Sequence, residues 1–212
     1  SRVPARCHEQ GREEERERGR NEGTRSEWAR HAVTLPDPLT LAHAVPGRSV
    51  PHHIALVIKM GGKGQKLVLI GGAGFVGSHL VEALIADSAA DIVVYDNFVR
   101  GTKQNLDEAL KAGRVQVIEG DILDRAAVER AVEGADGVFH LAASWLLQCV
   151  DDPRAGLQTN VVGTFNVMQA CKDANVRRLV FSSSASVYGN ALQTRMDEDH
   201  PLNNRTFYGA TK

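Results

Sequence analysis

With 212 residues, 42% of them apolar, and 25 basic against 26 acidic side chains, the chain can bury one domain core, and its net charge of −1 gives nucleic acid or an anionic membrane no electrostatic reason to bind. Its cysteines, Cys7, Cys149 and Cys171, are odd in number and scattered, which excludes a disulfide framework and a Cys-x-x-Cys metal pair and points to a reducing, cytoplasmic setting. No apolar run approaches the roughly 18 residues of a membrane span, and the eight histidines show no metal-ligand spacing.

Residues 1–60 read as a disordered extension, and residues 61–212 as the folded domain. The segment Gly11–Arg20 is GREEERERGR, and four prolines fall between Pro36 and Pro51 without a clean period. Such sequence buries too little to offset the entropy of ordering. Met60 is the expected natural start, because MGGKGQK leads straight into the first strand.

From Lys66 onward strands and helices alternate. Strands are expected at 67–70, 92–95, 115–118, 137–141 and 179–182. Helices are expected at 75–86, 103–112 and 125–132, with a long one behind Pro153 reaching Asp173. Alternation with short connections predicts a Rossmann-type, doubly wound parallel sheet with helices on both faces. Ligands then sit beyond the carboxyl ends of the strands.

The stretch Leu67–Leu80, LVLIGGAGFVGSHL, sets the reading. A buried strand runs into Gly71, Gly74 and Gly77, and a helix follows with Val76, Leu80, Leu84 and Ile85 as its expected apolar stripe. Gly71 permits a tight turn, Gly74 close approach of a pyrophosphate, and Gly77 close helix–strand packing. Free N–H groups at the helix start face the phosphates. The second strand ends at Asp96, about twenty residues past Gly77, where a carboxylate can take the ribose hydroxyls of NAD. Asp96 disfavours the extra phosphate of NADP, a preference that nearby Arg100 tempers.

A second constellation follows the fifth strand. Ser182 to Gly189 reads SSSASVYG, and Tyr208 and Lys212 close the chain four residues apart, on one helical face. A lysine ammonium beside a phenol favours the phenolate, as a base requires, and Ser184 can hold the reacting oxygen.

These motifs resemble the extended short-chain dehydrogenases/reductases, and within them the NAD-dependent nucleotide-sugar epimerase/dehydratase group. The resemblance covers Lys66–Lys212 and rests on the glycine loop, Asp96-Asn97, Gly120-Asp121-Ile122, His140 to Ala143, Asn160 to Thr164, and Ser184 with Tyr208 and Lys212. It implies that Tyr208 is the catalytic acid/base, tuned by Lys212, with Ser184 on the substrate oxygen. Phe75 and Val76 would lie over the pyrophosphate, Asp96 and Asn97 at the adenosine ribose, and Asp121 and Ile122 at the adenine. Leu141, Ala142 and Ala143 would line the path to the nicotinamide, Asn160 would support the site, and Ser182, Tyr208 and Lys212 complete the cofactor set. Ile70 stands where the family usually has threonine.

Family members that eliminate water carry an Asp-Glu pair just after the catalytic Ser/Thr. Ala185 and Ser186 stand there, so the resemblance points to a 4-epimerase of a UDP-hexose or UDP-hexuronate. Its implied mechanism is transient oxidation to a 4-keto sugar, with NAD recycled. A non-catalytic NAD-binding module and a carbonyl reductase remain as alternatives. The resemblance also implies that the sequence is an N-terminal fragment, lacking the last strands and the substrate domain, with weak NAD binding and no turnover of its own. The full-length protein is expected to be a homodimer that takes a nucleotide sugar. Trp145, Leu146 and Asn203-Asn204-Arg205 are open between substrate contact and ordinary packing.

Overall fold

The computed structural model describes residues 64–87, 90–194 and 196–212. The expected N-terminal extension lies outside these residues. Five strands form one sheet: β1 (Lys66–Ile70), β2 (Asp91–Asp96), β3 (Val115–Glu119), β4 (Gly137–His140) and β5 (Arg178–Phe181). Their spatial order is β3-β2-β1-β4-β5 and every pairing is parallel. The order reverses at β1, so the loops after β1, β2 and β4 meet at one crevice. Ile70 pairs with both Tyr95 and His140, so the three strands end level there.

The strand sequences are apolar on both faces because both faces are covered. Val68, Ile70, Val93, Tyr95 and Val138 pack with α3 (Arg125–Val132) and α6 (Thr164–Asp173). Leu67, Leu69, Ile92, Val94 and Phe139 pack on the other face with Val81 and Leu84 of α1 (Phe75–Asp87). Leu67, Val68, Leu69 and Ile70 are all fully buried. Each such side chain contributes about 1.5–3 kcal/mol by leaving water, so Leu69→Ala is expected to cost about 2–5 kcal/mol.

Four differences from the expected elements have physical causes. The buried stripe of α1 is rotated: Ser78, Val81 and Leu84 face the core, whereas Val76 is 63% exposed beside the crevice. The helix expected at 103–112 is a 3-10 turn (Lys103–Leu106) followed by α2 (Asp107–Leu110), and Gly113 at φ +69° ends the segment. A short helix, α4 (Leu146–Asp151), was not expected, because Leu146, Leu147 and Val150 stay exposed and leave no amphipathic signal.

The long helix is three pieces: α5 (Pro153–Leu157), a π-helical stretch (Gln158–Gly163) and α6. Asp152 caps α5 by accepting from Ala155 N at 2.9 Å. Within the π stretch Asn160 and Gly163 are buried, and a Cβ on Gly163 would lie 2.5 Å from the Ile122 side chain. π stretches are frequent at functional sites. The buried polar side chain of this one is Asn160.

Candidate active site

The glycine turn is shaped by two kinds of constraint. Gly71 has φ +81°, and a Cβ there would meet Ala142 N at 2.5 Å. A Cβ on Gly77 would lie 2.5 Å from Gly71 O. Those two glycines are demanded by the protein's own packing. Gly74 differs: its φ is not positive, and its nearest neighbour would be Gly71 O at 3.5 Å, an ordinary contact. Nothing in the described residues forbids a side chain at Gly74, which lines the crevice. A side chain there would fill the space that a close-approaching ligand needs.

Ala73, between those glycines, is held from both sides. Its N–H donates to Asp96 Oδ2 at 2.9 Å, and its carbonyl accepts from Asn105 Nδ2 at 2.8 Å. Asp96 is 8% exposed, and its Oδ1 accepts from Phe98 N at 2.8 Å. Each carboxylate oxygen therefore carries one backbone bond and keeps a lone pair for a ligand. Asn97 donates to Asp121 Oδ2 at 3.0 Å and accepts from Val99 N at 3.2 Å. Tyr95 donates its hydroxyl to Asp121 O at 2.8 Å. Burial first, then the Asp124 and Asp121 carboxylates, push its pKa up to about 12, so the phenol stays a donor. A Cβ on Gly120 would sit 2.5 Å from the Tyr95 hydroxyl, which fixes glycine there.

The other wall follows β4. Leu141 N and Ala142 N both donate to Ile70 O, at 2.8 and 3.0 Å, which ends the strand at His140 rather than at Leu141. Asn160 accepts from Ser144 N at 2.7 Å and donates to Ser144 O and Thr211 Oγ1, each at 3.0 Å. It ties the β4 loop to α7 (Phe207–Ala210), the turn that carries Tyr208. Thr211 in turn donates to Tyr208 O at 2.8 Å.

The crevice between these walls has a volume of about 570 Å³, in the range of small-molecule cofactor sites. Gly71, Gly74, Phe75, Val76, Gly77, Asp96, Asn97, Asp121, Ile122, Leu141, Ala142 and Ala143 all line it. Asn160, Ser182, Ser184, Tyr208 and Lys212 do not line it: the serines follow β5, Tyr208 and Lys212 lie on the turn packed there, and Asn160 stands between that turn and the β4 loop. Ser184 caps a 3-10 turn (Ala185–Tyr188), its Oγ accepting from Ser186 N at 3.2 Å. α7 packs on that turn closely enough that a Cβ on Gly209 would lie 2.6 Å from Ser186 O. Ser183 donates to Lys212 O at 3.2 Å, and the Lys212 ammonium lies 4.7 Å from the centre of the Phe181 ring. Burial holds the Lys212 pKa below its usual value. Ser182 is exposed, its N–H donating to His140 O at 3.0 Å.

His140 is fully buried under this rim. Its Nε2 bonds Thr164 Oγ1 at 2.9 Å, and its ring tilts against Phe181. Among the described residues its Nδ1 is the buried side-chain nitrogen or oxygen with no hydrogen-bond partner. Burial, and then the Lys212 ammonium, lower its pKa to about 4, so the ring is neutral. Burial raises the thiol pKa of Cys149, and that of Cys171 to about 11, which keeps both unreactive. No group of three or more His, Cys, Asp and Glu among the described residues is placed to hold a metal. No helix there is long and apolar enough to cross a membrane.

Sequence reading missed Tyr95, Asn105, Gln148 and Thr159, which also belong to the crevice wall. Asn105 had no local signal, because its contact with Ala73 spans 32 residues.

The profile of the NAD-dependent epimerase/dehydratase family matches residues 67–212. The chain belongs to that family. UDP-glucose 4-epimerase of Lactobacillus helveticus is 39% identical over 151 residues, which cover 70% of this chain and 44% of that enzyme. A 3beta-hydroxysteroid-dehydrogenase/decarboxylase of Arabidopsis thaliana, isoform 2, is 36% identical, over 68% of this chain and 27% of that protein. The solved structure of Brucella ovis UDP-glucose 4-epimerase in complex with NAD matches with a TM-score of 0.63 and 32% identity, over 69% of this chain and 44% of that one. The chain thus spans less than half the length of these relatives.

NAD is the cofactor of this epimerase/dehydratase family, and the crevice fits it. Gly74 leaves room that the protein's own packing does not require, and Asp96 keeps free acceptor capacity in a half-occupied carboxylate. A carboxylate there repels a 2′-phosphate, which favours NAD over NADP.

Proposed function

We propose that the full-length protein is an NAD-dependent nucleotide-sugar epimerase that inverts C4 of a UDP-hexose or UDP-hexuronate. The observation that carries this reading is the gathering of Ser184, Tyr208 and Lys212 around one packed pair of turns beside the crevice. A binding module has no use for an acid/base set, which argues against the non-catalytic alternative.

Phe75 and Val76 would cover the pyrophosphate at the helix start. Asp96 and Asn97 would take the adenosine ribose, and Asp121 and Ile122 the adenine. Leu141 to Ala143 would lead to the nicotinamide, with Ser182 and Lys212 at its ribose. NAD, when bound, supplies a reversible hydride acceptor. Tyr208 takes the proton of the 4-hydroxyl and later returns one. Lys212 raises the phenolate fraction by its charge. Ser184 uses its oxygen to accept from Ser186 N, so its O–H is left to donate to the sugar oxygen. Asn160 holds the Tyr208 turn at a fixed distance from the β4 loop. Ala185 and Ser186 supply no acid/base pair for eliminating water, which separates this site from a dehydratase.

The test is conversion of UDP-glucose to UDP-galactose by the full-length protein with NAD, followed by proton NMR. Tyr208→Phe is expected to abolish it. Accumulation of NADH with a ketone product would instead support a dehydrogenase, a reading that the steroid-dehydrogenase relative keeps in view. We also assign the protein to the cytoplasm, as a homodimer, on its cysteine usage and family resemblance. The 212 residues alone are expected to bind NAD weakly and not to turn over.

A further inference from the structure

The loops after β2 and β4 flank the glycine turn, because β2 and β4 are the two neighbours of β1. Their tips meet: the Arg100 guanidinium carbon lies 4.6 Å from the centre of the Trp145 ring. Arg100 lines the crevice, and so do Ser144 and Gln148 on either side of Trp145. The contact therefore joins the two walls of the crevice.

Both stems are anchored. The Arg100 loop is pinned by the bonds from Phe98 N to Asp96 and from Val99 N to Asn97. Next to it, a Cβ on Gly101 would lie 2.6 Å from the Ala73 backbone. On the opposite wall, Asn160 holds both backbone groups of Ser144, and Trp145 N donates to Gln148 Oε1 at 3.3 Å. The tips are free by comparison: Arg100 is exposed and Trp145 is 41% exposed. Among the described residues Arg100 forms no salt bridge. A guanidinium resting on an aromatic face keeps its N–H edge and its charge for another anion. A diphosphate on the glycine turn is the anion whose geometry suits that edge.

We propose that Arg100 and Trp145 form a clasp that roofs the cofactor crevice, offers its cation to the dinucleotide's diphosphate and sets how long the dinucleotide stays bound. The inference rests on the reading of the crevice as the NAD site. The clasp must part for the dinucleotide to leave, and an epimerase that recycles its cofactor gains from slow release. Partly exposed cation–π pairs are strong enough to slow release by about two- to fivefold.

The experiment measures NADH release from the full-length protein in a stopped-flow instrument. Preloaded NADH is chased with excess NAD⁺, and NADH fluorescence is followed by direct excitation, so loss of the indole does not alter the probe. Trp145→Leu is expected to release NADH about two- to fivefold faster, and Arg100→Gln at least as fast as that, because it also removes the cation offered to the diphosphate. The double variant should be no faster than the faster single, because the two side chains act as one unit. Trp145→Phe keeps an aromatic face and should release at close to the wild-type rate. Wild-type release from Trp145→Leu, or independent multiplication of the two single effects, would overturn the clasp while leaving the cofactor reading intact. Equal acceleration in Trp145→Phe and Trp145→Leu would overturn it too, as a packing effect rather than a cation–π contact. A wild-type protein that binds no NADH would remove both.

Discussion

The two halves of the site are built differently. The crevice over β1, β2 and β3 is fixed from within: Asp96 and Asn105 grip Ala73, Tyr95 underlies Gly120, and Gly71, Gly77 and Gly120 fit gaps that a methyl group would close. The rim at the end of β5 hangs on fewer ties, chiefly Asn160 to Thr211 and Ser183 to Lys212. β1 is fully buried from Leu67 to Ile70, whereas no residue of β5 is buried. The crevice is thus organised to hold a molecule in place. The rim is organised to present polar groups to one, and Asn160 is the buried side chain that ties it to the β4 loop.

Changes in one half should leave the other intact, and the predicted effects run from large to small. Tyr208→Phe on the rim is expected to lower turnover by about 10²–10⁴-fold, the usual contribution of a positioned acid/base. NADH affinity, measured by fluorescence titration, should fall far less, because the phenylalanine ring keeps the packing and only the hydroxyl leaves the cofactor set. A comparable loss of affinity would show that the rim also builds the crevice.

The next effect is on stability against pH. His140 is neutral and buried, with its pKa lowered to about 4 against 6.5 when free. Between those values the unfolded chain binds the extra proton, so stability is full above pH 6.5 and falls as pH drops towards 4. The total loss is up to about 3 kcal/mol at 1.36 kcal/mol per pKa unit. Urea unfolding at pH 7 and pH 4.5 would read it, and His140→Gln should flatten the difference. An unchanged pH dependence in that variant would remove His140 as its source.

The glycines sharpen the contrast within the crevice. Gly77→Ala should destabilise the fold by about 1–3 kcal/mol through overpacking. Gly71→Ala adds a positive-φ penalty to the same kind of clash. Gly74→Ala should change stability by no more than about 0.5 kcal/mol, yet weaken NADH binding. Equal destabilisation by all three would mean that Gly74 too is held by packing.

Asn160→Ala probes the bridge between the halves. It leaves Ser144 and Thr211 without their buried partner, at a cost of about 1–3 kcal/mol. Turnover should fall more than NADH affinity, because the lost tie positions the Tyr208 turn. A larger loss of affinity than of turnover would place its main role at the crevice.

The parts legible in the sequence were those governed by local pattern. The apolar runs of β1, β2 and β4, the glycine spacing and the acidic end of β2 each have a local cause, and Gly71, Gly74, Gly77 and Asp96 of the crevice followed from them, whereas Asp121, Ile122 and Leu141 to Ala143 were reached through the family resemblance. What stayed illegible depended on partners distant in the chain. Asn105 reaches back to Ala73, and Asn160 bonds Thr211, 51 residues further along the chain. The exposed apolar residues of α4 gave no periodic signal. Arg100 and Trp145 were visible as single residues, but only the fold shows that β2 and β4 flank β1 and bring them together.

The most direct test of the central claim follows the hydrogen at C4. UDP-glucose deuterated at C4 is given to the full-length protein with catalytic NAD in ordinary water, and the UDP-galactose formed is analysed by NMR. Epimerisation through reversible oxidation predicts that the deuterium is retained at C4 of the product, with no net NADH. Loss of the deuterium to solvent, or steady accumulation of NADH with a ketone, would contradict the assignment.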